Sequence, residues 1–302
     1  MTVNANVIGG DPQGKTALPG ELLICGSGAS EGIPALFCTC AICRQARLNG
    51  GRDIRSRTAY QLGDDIRIDF GPDIYYQREK FQLHFEKLRH LFITHPHKDH
   101  FYPVQLSYHI HGEEGPAMLA DFPLTLHGTA EVMAQLDRAL NGKLAQRIDR
   151  MRLVLDELDP VRCVRTLDNG MKFTAVGANH DCAGALNYIV EMPDGFTFFI
   201  GTDSGPFTEE TWRILAEFRF DLMILDGTGG LLNIENSGHH TGREVLAAAE
   251  RLRREGIAGP HTRIVTNHFA HCGGMLHADL EKFYAPHGIE PGYDGMRLPL
   301  HR

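Results

Sequence analysis

The sequence predicts an α/β domain in which two β-sheets stack and helices cover their outer faces. Three observations lead to this prediction. Strand-sized apolar runs alternate with helical stretches, an early segment has a hairpin pattern, and 302 residues suffice for one large domain or two small ones. Apolar residues make up 42% and charged residues 23%, as is typical of a folded protein. Because no linker-like break interrupts the chain, we expect residues 21–302 to form a single domain.

The first elements are strands separated by turns. Residues 1–20 are polar and contain Gly and Pro, so we expect a flexible leader there. An apolar strand at 21–25 runs into a Gly-rich loop at 26–32. Residues 58–69 are typical of a hairpin with its turn at 63–65.

The later elements alternate between the two types. Strands are predicted at 88–94, 124–127, 187–191, 196–200, 222–225 and 264–266. Helices are predicted at 130–140, 209–218 and 243–254, the last with apolar residues at helical spacing.

Composition excludes several classes of function. The net charge is −8, which argues against a partner bound through many phosphates, such as a long nucleic acid. No apolar run approaches the roughly 18 residues of a membrane helix, and the N-terminus lacks the order of a signal peptide. We therefore expect a cytoplasmic protein without a membrane partner. The chain contains 17 His and 7 Cys, and three of the cysteines are clustered. This pattern indicates metal binding rather than disulfides.

The strongest motif directly follows the strand at 88–94. It places three His and one Asp within six residues, namely His95, His97, Asp99 and His100. His95 and His97 are two apart on an extended segment, so they point the same way and can bind one ion. Asp99 and His100 can bind a second. Imidazole and carboxylate together suit zinc, manganese or iron.

This His-x-His-x-Asp-His motif resembles the signature of the metallo-β-lactamase superfamily, an αββα four-layer sandwich with a binuclear metal site. Other motifs of that family match in chain order at Asp69, His180, Asp203 and His268. The resemblance implies one metal held by His95, His97 and His180. It implies a second held by Asp99, His100 and His268, with Asp203 bridging the two and Asp69 orienting the motif loop.

A cysteine cluster indicates which group within the superfamily the sequence resembles. Cys38, Cys40 and Cys43 offer three thiolates, and a closed zinc site needs a fourth ligand. The pattern resembles the phosphodiesterases of the carbon–phosphorus lyase pathway, which implies a structural zinc completed by His271. Cys272 is the alternative fourth ligand. The cysteines and the ending Tyr-Asp-Gly-Met also resemble pyrroloquinoline quinone biosynthesis protein B, which lacks a complete metal motif of this type.

A further histidine is expected near the metals, because breaking a phosphodiester benefits from a cation or a proton donor. Residues 237–242 resemble the Gly-His-x-Ser/Thr segment that supplies it, which implies His239, with His240 as the competitor. The predicted reaction is hydrolysis of a small phosphodiester by hydroxide held between two metals, with Asp99, Asp203 and His239 as catalytic residues.

Three other functions stay open. One is 3′ processing of transfer RNA, although residues 101–165, interpreted as an insertion, show no basic Gly/Lys-rich arm. Another is a lactonase or thioesterase, for which an apolar pocket would be expected. The third is a binding or maturation role in quinone-cofactor synthesis. Members of the family are commonly dimers, and the sequence leaves a homodimer open.

Overall fold

Two stacked β-sheets form the centre of the molecule in the computed structural model, which describes residues 16–110, 119–234 and 238–302. The strands are β1 (Glu21–Gly26), β2 (Ala59–Leu62), β3 (Ile66–Ile68), β4 (His90–Phe92), β5 (Leu124–Gly128), β6 (Leu153–Glu157), β7 (Arg162–Thr166), β8 (Lys172–Gly177), β9 (Leu186–Glu191), β10 (Thr197–Gly201), β11 (Phe220–Asp226), β12 (Ala258–Asn267), β13 (Ile289–Pro291) and β14 (Arg297–Pro299). The helices are α1 (Ala41–Asn49), α2 (Ile74–Phe81), α3 (Ala130–Ala139), α4 (Leu144–Arg147), α5 (Glu209–Leu215), α6 (Gly242–Arg254) and α7 (His277–Tyr284).

The two sheets have matching topologies. The first has the order β14-β1-β2-β3-β4-β5-β6 and the second β13-β12-β11-β10-β9-β8-β7. Strands β3 to β6 pair in parallel in the first sheet, as do β10 to β13 in the second. The other pairs are antiparallel. Each sheet therefore has a parallel half whose carboxyl ends lie along one edge, where side chains from several strands can meet.

Three apolar clusters separate the layers. The central one lies between the sheets and includes Tyr60, Phe92 and Tyr188. A second packs α5, α6 and α7 on the outer face of the second sheet, and a third packs α2, α3 and α4 on the first. This is the predicted αββα four-layer sandwich, so the fold prediction is confirmed. None of the described helices is long and apolar enough to cross a bilayer.

The predicted strands and helices are all present, with ends shifted by a few residues. Sequence analysis missed β6, β7, β13 and β14, which lie at the sheet edges, and the internal strand β8. Edge strands bury little surface, so their apolar pattern is weak. The interpretation of residues 101–165 as an insertion needs correction, because this stretch supplies β5, β6 and α3 to the fold. Residues 111–118 within it lie outside the described residues.

Part of the predicted leader packs on the domain. The Thr16 backbone N–H donates to both carboxylate oxygens of Asp168, at 3.2 and 3.0 Å. The N–H of Ala17 donates to Asp65 at 2.7 Å, and the N–H of Leu300 donates to the Gly20 carbonyl at 3.0 Å. Residues 16–20 are therefore tied to the sandwich, and residues 1–15 lie outside the described part.

A chain of polar groups runs beside this segment. His90 Nδ1 lies 3.1 Å from His127 Nε2, and His127 Nδ1 lies 2.7 Å from Asp156 Oδ2. Asp156 accepts a hydrogen bond from His127 Nδ1, so His127 Nε2 carries no proton and accepts one from His90 Nδ1. The other nitrogen of His90, Nε2, faces the Thr16 hydroxyl at 3.4 Å. Burial, helped by the neighbouring His127, lowers the pKa of His90 to about 4. His90 is therefore neutral at physiological pH.

We expect His90 to make the fold acid-sensitive. The unfolded chain holds a His proton below pH ~6.5, whereas the folded protein takes it up only near the lowered pKa of about 4. Stability should therefore fall as pH drops between these values, by up to about 3 kcal/mol. Thermal unfolding from pH 7 to 4.5 should show a shallower pH dependence for His90→Gln than for wild type. The exposed His84→Gln variant should keep the wild-type slope, and equal slopes for all three proteins would contradict the prediction.

Candidate metal centre

Residues at the ends of several strands meet at one edge of the sandwich. Asp69 follows β3, His95 follows β4, Asp203 follows β10 and His268 follows β12. Three of them have left-handed backbone conformations, with φ of 65° at Asp69, 57° at Asp203 and 66° at His268. Such conformations cost roughly 1–3 kcal/mol each in residues other than glycine and cluster at functional sites. The fold therefore turns the chain sharply where the predicted site residues lie.

The first predicted ligand set is brought together. One nitrogen each of His95, His97 and His180 and one oxygen of Asp203 lie within 4.8 Å of one another. His97 Nδ1 is 3.1 Å from His180 Nε2, and His95 Nε2 is 3.1 Å from Asp203 Oδ2. His180 comes from the second sheet and the motif from the first, so the set spans the two sheets.

The second predicted set lies beside it and shares Asp203. Ligand atoms of Asp99, His100, Asp203 and His268 also lie within 4.8 Å of one another. His100 Nε2 is 3.3 Å from Asp99 Oδ2, 2.8 Å from Asp203 Oδ2 and 3.2 Å from His268 Nε2. Asp203 Oδ2 is therefore close to both His95 and His100, in the position of an atom that bridges two sites.

The orientation of each ring is set by its other nitrogen. His95 Nδ1 faces the Thr94 hydroxyl at 3.1 Å, and His180 Nδ1 faces the Gly238 carbonyl at 3.1 Å. His268 Nδ1 faces the Thr228 hydroxyl at 2.7 Å. These contacts leave the Nε2 atoms directed at the cluster, whereas His97 presents Nδ1.

Asp69 is fully buried and contacts the motif directly. Its carboxylate accepts from the Thr94 N–H at 2.9 Å, from the Thr94 hydroxyl at 2.9 and 3.0 Å, and from His100 Nδ1 at 2.7 Å. A carboxylate in this position fixes the tautomer and orientation of a ligating His, as expected for Asp69. The side chain of Arg67 donates to the Asp69 carbonyl at 2.9 Å and so supports the strained turn.

The donor set fits divalent cations. His95 Nε2 is buried without a hydrogen-bond partner among the described residues. Burial and the neighbouring His100 lower the pKa of His95 to about 4, which keeps its lone pair available. Burial would raise the pKa of Asp99, but the adjacent histidines outweigh it and hold that pKa below its usual range. Imidazoles that face ionised carboxylates in a buried cluster are the donor set of zinc, manganese or iron sites.

Of the two candidate histidines, His239 faces this cluster. His239 Nδ1 is 3.0 Å from Asp203 Oδ1 and 3.3 Å from Asp226 Oδ2. His240 is buried, and its Nδ1 donates to the Ser204 carbonyl at 2.7 Å on the side facing Phe207. Burial favours the neutral form of His239, but hydrogen bonds to the two carboxylates outweigh it and raise its pKa to about 11. Residue Ser237 of the predicted segment lies outside the described part.

Asp226 was missed by sequence analysis. It ends β11, is fully buried, and accepts from the Asp203 N–H at 2.9 Å, the Thr228 hydroxyl at 3.0 Å and the His240 N–H at 3.3 Å. It thereby connects the loops that carry Asp203, His239 and His268. A signal was present in the sequence, since Asp226 directly follows an apolar strand and precedes a glycine.

The cysteine cluster forms a separate group. Cys38, Cys40, Cys43 and His271 place their ligand atoms within 4.8 Å of one another, with His271 Nδ1 3.6 Å from the sulfurs of both Cys38 and Cys40. The Cys43 backbone N–H and His271 lower the pKa of Cys40 to about 6, which favours a thiolate. Cys272, the alternative ligand, is exposed and is not part of this group. The donor set fits zinc.

A cleft of about 430 Å³ opens over the His and Asp cluster. Its walls are formed mostly by polar residues, namely Ser30, Pro96, His97, Lys98, Asp99, Gln135, His180, Asp181, Asp203, His239 and His268. Ser30 belongs to the Gly-rich loop at 26–32, so this loop contributes to the wall. Lys98 is an exposed cation at the rim. The volume of the cleft limits it to a small ligand or to one end of a larger one.

The sequence of this chain matches the model of one protein family. The model of the beta-lactamase superfamily domain matches residues 65–269, a span that contains both His and Asp ligand sets. No curated protein sequence matches the chain at a significant level.

Comparison with solved structures shows the same fold. A diphosphatase of the PhnP family is 20% identical, with a TM-score of 0.70, and the match covers 92% of this chain and 96% of that one. Zn²⁺-bound PqqB from Methylobacterium extorquens is 17% identical, with a TM-score of 0.66 and coverage of 93% and 100%. The short form of human tRNase Z is 17% identical, with a TM-score of 0.63 and coverage of 93% and 100%.

Proposed function

This chain belongs to the metallo-β-lactamase superfamily of metal-dependent hydrolases, and on that premise we propose that it cleaves small phosphodiesters at a binuclear centre. In this proposal, His95, His97 and His180 hold one cation, and Asp99, His100 and His268 hold the other. Asp203 would be shared by the two cations, since its Oδ2 lies 3.1 Å from His95 Nε2 and 2.8 Å from His100 Nε2. When bound, such a pair lowers the pKa of a water and neutralises charge on phosphoryl oxygens.

The position of His239 is the observation that carries the proposal. Its Nδ1 is held by Asp203 and Asp226, so its Nε2 side is turned to the cleft, of which His239 forms part of the wall. An alkoxide leaving from phosphorus needs a proton, and an imidazolium in this position can donate it. Asp226 keeps the ring protonated at Nδ1. Two nearby dications would lower the His239 pKa from about 11, toward the range in which imidazolium gives up a proton readily.

The cleft supports a small, polar substrate. Pro96 is the one apolar residue among the described residues that line the cleft, whereas Lys98, Ser30 and Gln135 offer a cation and hydrogen-bonding groups. A lactone or thioester with an acyl chain would require an apolar wall. With a net charge of −8, the protein is poorly suited to attract a long RNA. A similar fold carries out diphosphatase chemistry in the PhnP-family protein, so cleavage at phosphorus is compatible with this fold.

We also propose that Cys38, Cys40, Cys43 and His271 hold a structural zinc. The site joins the N-terminal loop before α1 to the segment that follows His268. It would therefore stabilise the turn that follows His268. The proposal implies three metal ions per chain, two in the active site and one here.

The test is a substrate comparison with the purified, metal-loaded protein. Bis(p-nitrophenyl) phosphate and a nucleoside 2′,3′-cyclic phosphate should be hydrolysed with zinc or manganese, while p-nitrophenyl acetate and a precursor transfer RNA should not. Cleavage of the carboxylic ester alone would favour a carbonyl hydrolase. Cleavage of the RNA alone would favour a tRNase Z-like nuclease. If a protein with full metal content cleaves none of the four, a role in binding or cofactor maturation replaces the proposed one.

A further inference from the structure

The hydroxyl of Tyr60 reaches from the first sheet to the second, next to two of the proposed metal ligands. Tyr60 lies in β2, is fully buried, and packs its ring in the central apolar cluster. Its hydroxyl accepts from the Asn267 side-chain amide at 3.0 Å and donates to the Thr202 hydroxyl at 3.4 Å. Thr202 directly precedes Asp203, and Asn267 directly precedes His268. One hydroxyl is therefore bonded to the residue before each of two proposed ligands.

The two contacted residues belong to strands that are not neighbours in the sheet. Thr202 follows β10 and Asn267 ends β12, and β11 lies between these strands. Ile200 and Val265, two residues earlier in each strand, face the central apolar cluster. Side chains two residues apart in a strand share a face, so Thr202 and Asn267 also point into the sandwich. Tyr60 therefore joins two strand ends that do not pair with each other.

Both ligands that follow these residues have strained backbone conformations. The φ angle is 57° at Asp203 and 66° at His268. Left-handed conformations in residues other than glycine persist only where the surrounding structure fixes them. A hydrogen bond to the residue before each ligand is such a restraint. It acts on both turns through a single oxygen atom, so it also restrains the distance between the two turns.

The side chain of Asn267 is not optimised for stability. It is fully buried, and its amide nitrogen donates to Tyr60 and to the Gly26 carbonyl at 3.2 Å. Its Oδ1 has no hydrogen-bond partner in the described part of the chain. A buried carbonyl oxygen without a partner destabilises the fold, and an apolar side chain would avoid that cost. Local conflicts of this kind are expected where function requires a particular residue.

We propose that Tyr60 is a positioning residue for the metal centre, and that its hydroxyl sets the separation of Asp203 and His268. The inference rests on the binuclear centre of the proposed function and not on its choice of substrate. The second cation should depend on Tyr60 more than the first. Asp203 and His268 both belong to the second ligand set, whereas the first set contains only Asp203. The cysteine cluster contains neither residue and should be unaffected.

The test is zinc binding to full-length Tyr60→Phe, which loses the hydroxyl and keeps the ring in the core. The protein is dialysed against a series of buffered free-zinc concentrations, and bound zinc is counted. The most weakly held zinc should lose roughly tenfold in affinity, as is usual when a partner behind a metal ligand is removed. The zinc of the cysteine cluster should bind as in wild type. Unchanged affinities for all the zinc ions would overturn the proposal.

Tyr284→Phe is the matched control. It removes the hydroxyl of another fully buried tyrosine, one whose oxygen has no hydrogen-bond partner among the described residues. This variant should bind every zinc ion as wild type does. If it loses as much zinc affinity as Tyr60→Phe, the effect comes from any change in the core and the positioning role is refuted.

Thermal unfolding at low and high free zinc distinguishes positioning from a purely structural contact. A cation stabilises the folded state by an amount that grows with its affinity. Tyr60→Phe should therefore gain less stability from zinc than wild type does. Equal destabilisation at every zinc concentration would show a structural contact only. If Tyr60→Phe does not fold, Thr202→Val removes the partner hydroxyl and should weaken the same zinc, and wild-type binding there would refute the proposal. A wild-type protein that cleaves no phosphodiester would refute the proposed substrate and leave this result standing.

Discussion

Asp203→Ala is expected to abolish diester hydrolysis and to empty both active-site metal positions. Asp203 Oδ2 lies close to ligand atoms of both sets, so its loss leaves each proposed cation with one donor fewer and removes the charge shared between them. The two cations together supply several kcal/mol of transition-state stabilisation. At about 1.4 kcal/mol per tenfold, we expect kcat/KM to fall by roughly 10⁴ or more.

Metal analysis distinguishes this explanation from unfolding. The purified variant should retain about one zinc per chain, in the cysteine cluster, and a cooperative thermal transition. Glu210→Ala, which removes an exposed carboxylate on α5 outside the cleft, should keep all three ions. An Asp203→Ala protein that held three ions and lost less than tenfold in activity would contradict the bridging role.

His239→Ala is expected to lose turnover while keeping its metal. Removing a positioned proton donor costs roughly 10²–10⁴ in rate. The loss should depend on the leaving group. A cyclic phosphate releases an alkoxide that needs a proton, whereas p-nitrophenolate leaves without one, so the cyclic substrate should be affected far more. Steady-state kinetics on both substrates, at equal metal content, measure the difference.

His240→Asn is the comparison variant for this prediction. The asparagine amide can still donate to the Ser204 carbonyl, which His240 contacts at 2.7 Å. His240 lies on the far side of the loop from the cleft, so both substrates should be turned over at near wild-type rates. The assignment would be wrong if His240→Asn lost more activity than His239→Ala.

Much of the site was predictable because its residues carry local signals. His95, His97, Asp99 and His100 are contiguous, and Asp69, Asp203 and His268 each end a short apolar run. An apolar run followed by a residue that can bind metal is recognisable in a single sequence, because the pattern involves only residues that are adjacent in the chain. The central strands were predictable for the same reason. The edge strands were not, because they bury too little surface to impose a pattern.

By itself, the sequence predicted the fold class, and with the family resemblance it named the residues that the structure brings together in the two His and Asp clusters and in the cysteine cluster. Tertiary structure decided which of two adjacent histidines faces the cleft, and it brought Asp226 against Asp203 and His239. It also decided that Asp203 turns Oδ2 to both ligand sets and Oδ1 to His239. These features depend on distances between residues that are far apart in the chain. Such distances arise only when the carboxyl ends of the parallel strands pack side by side.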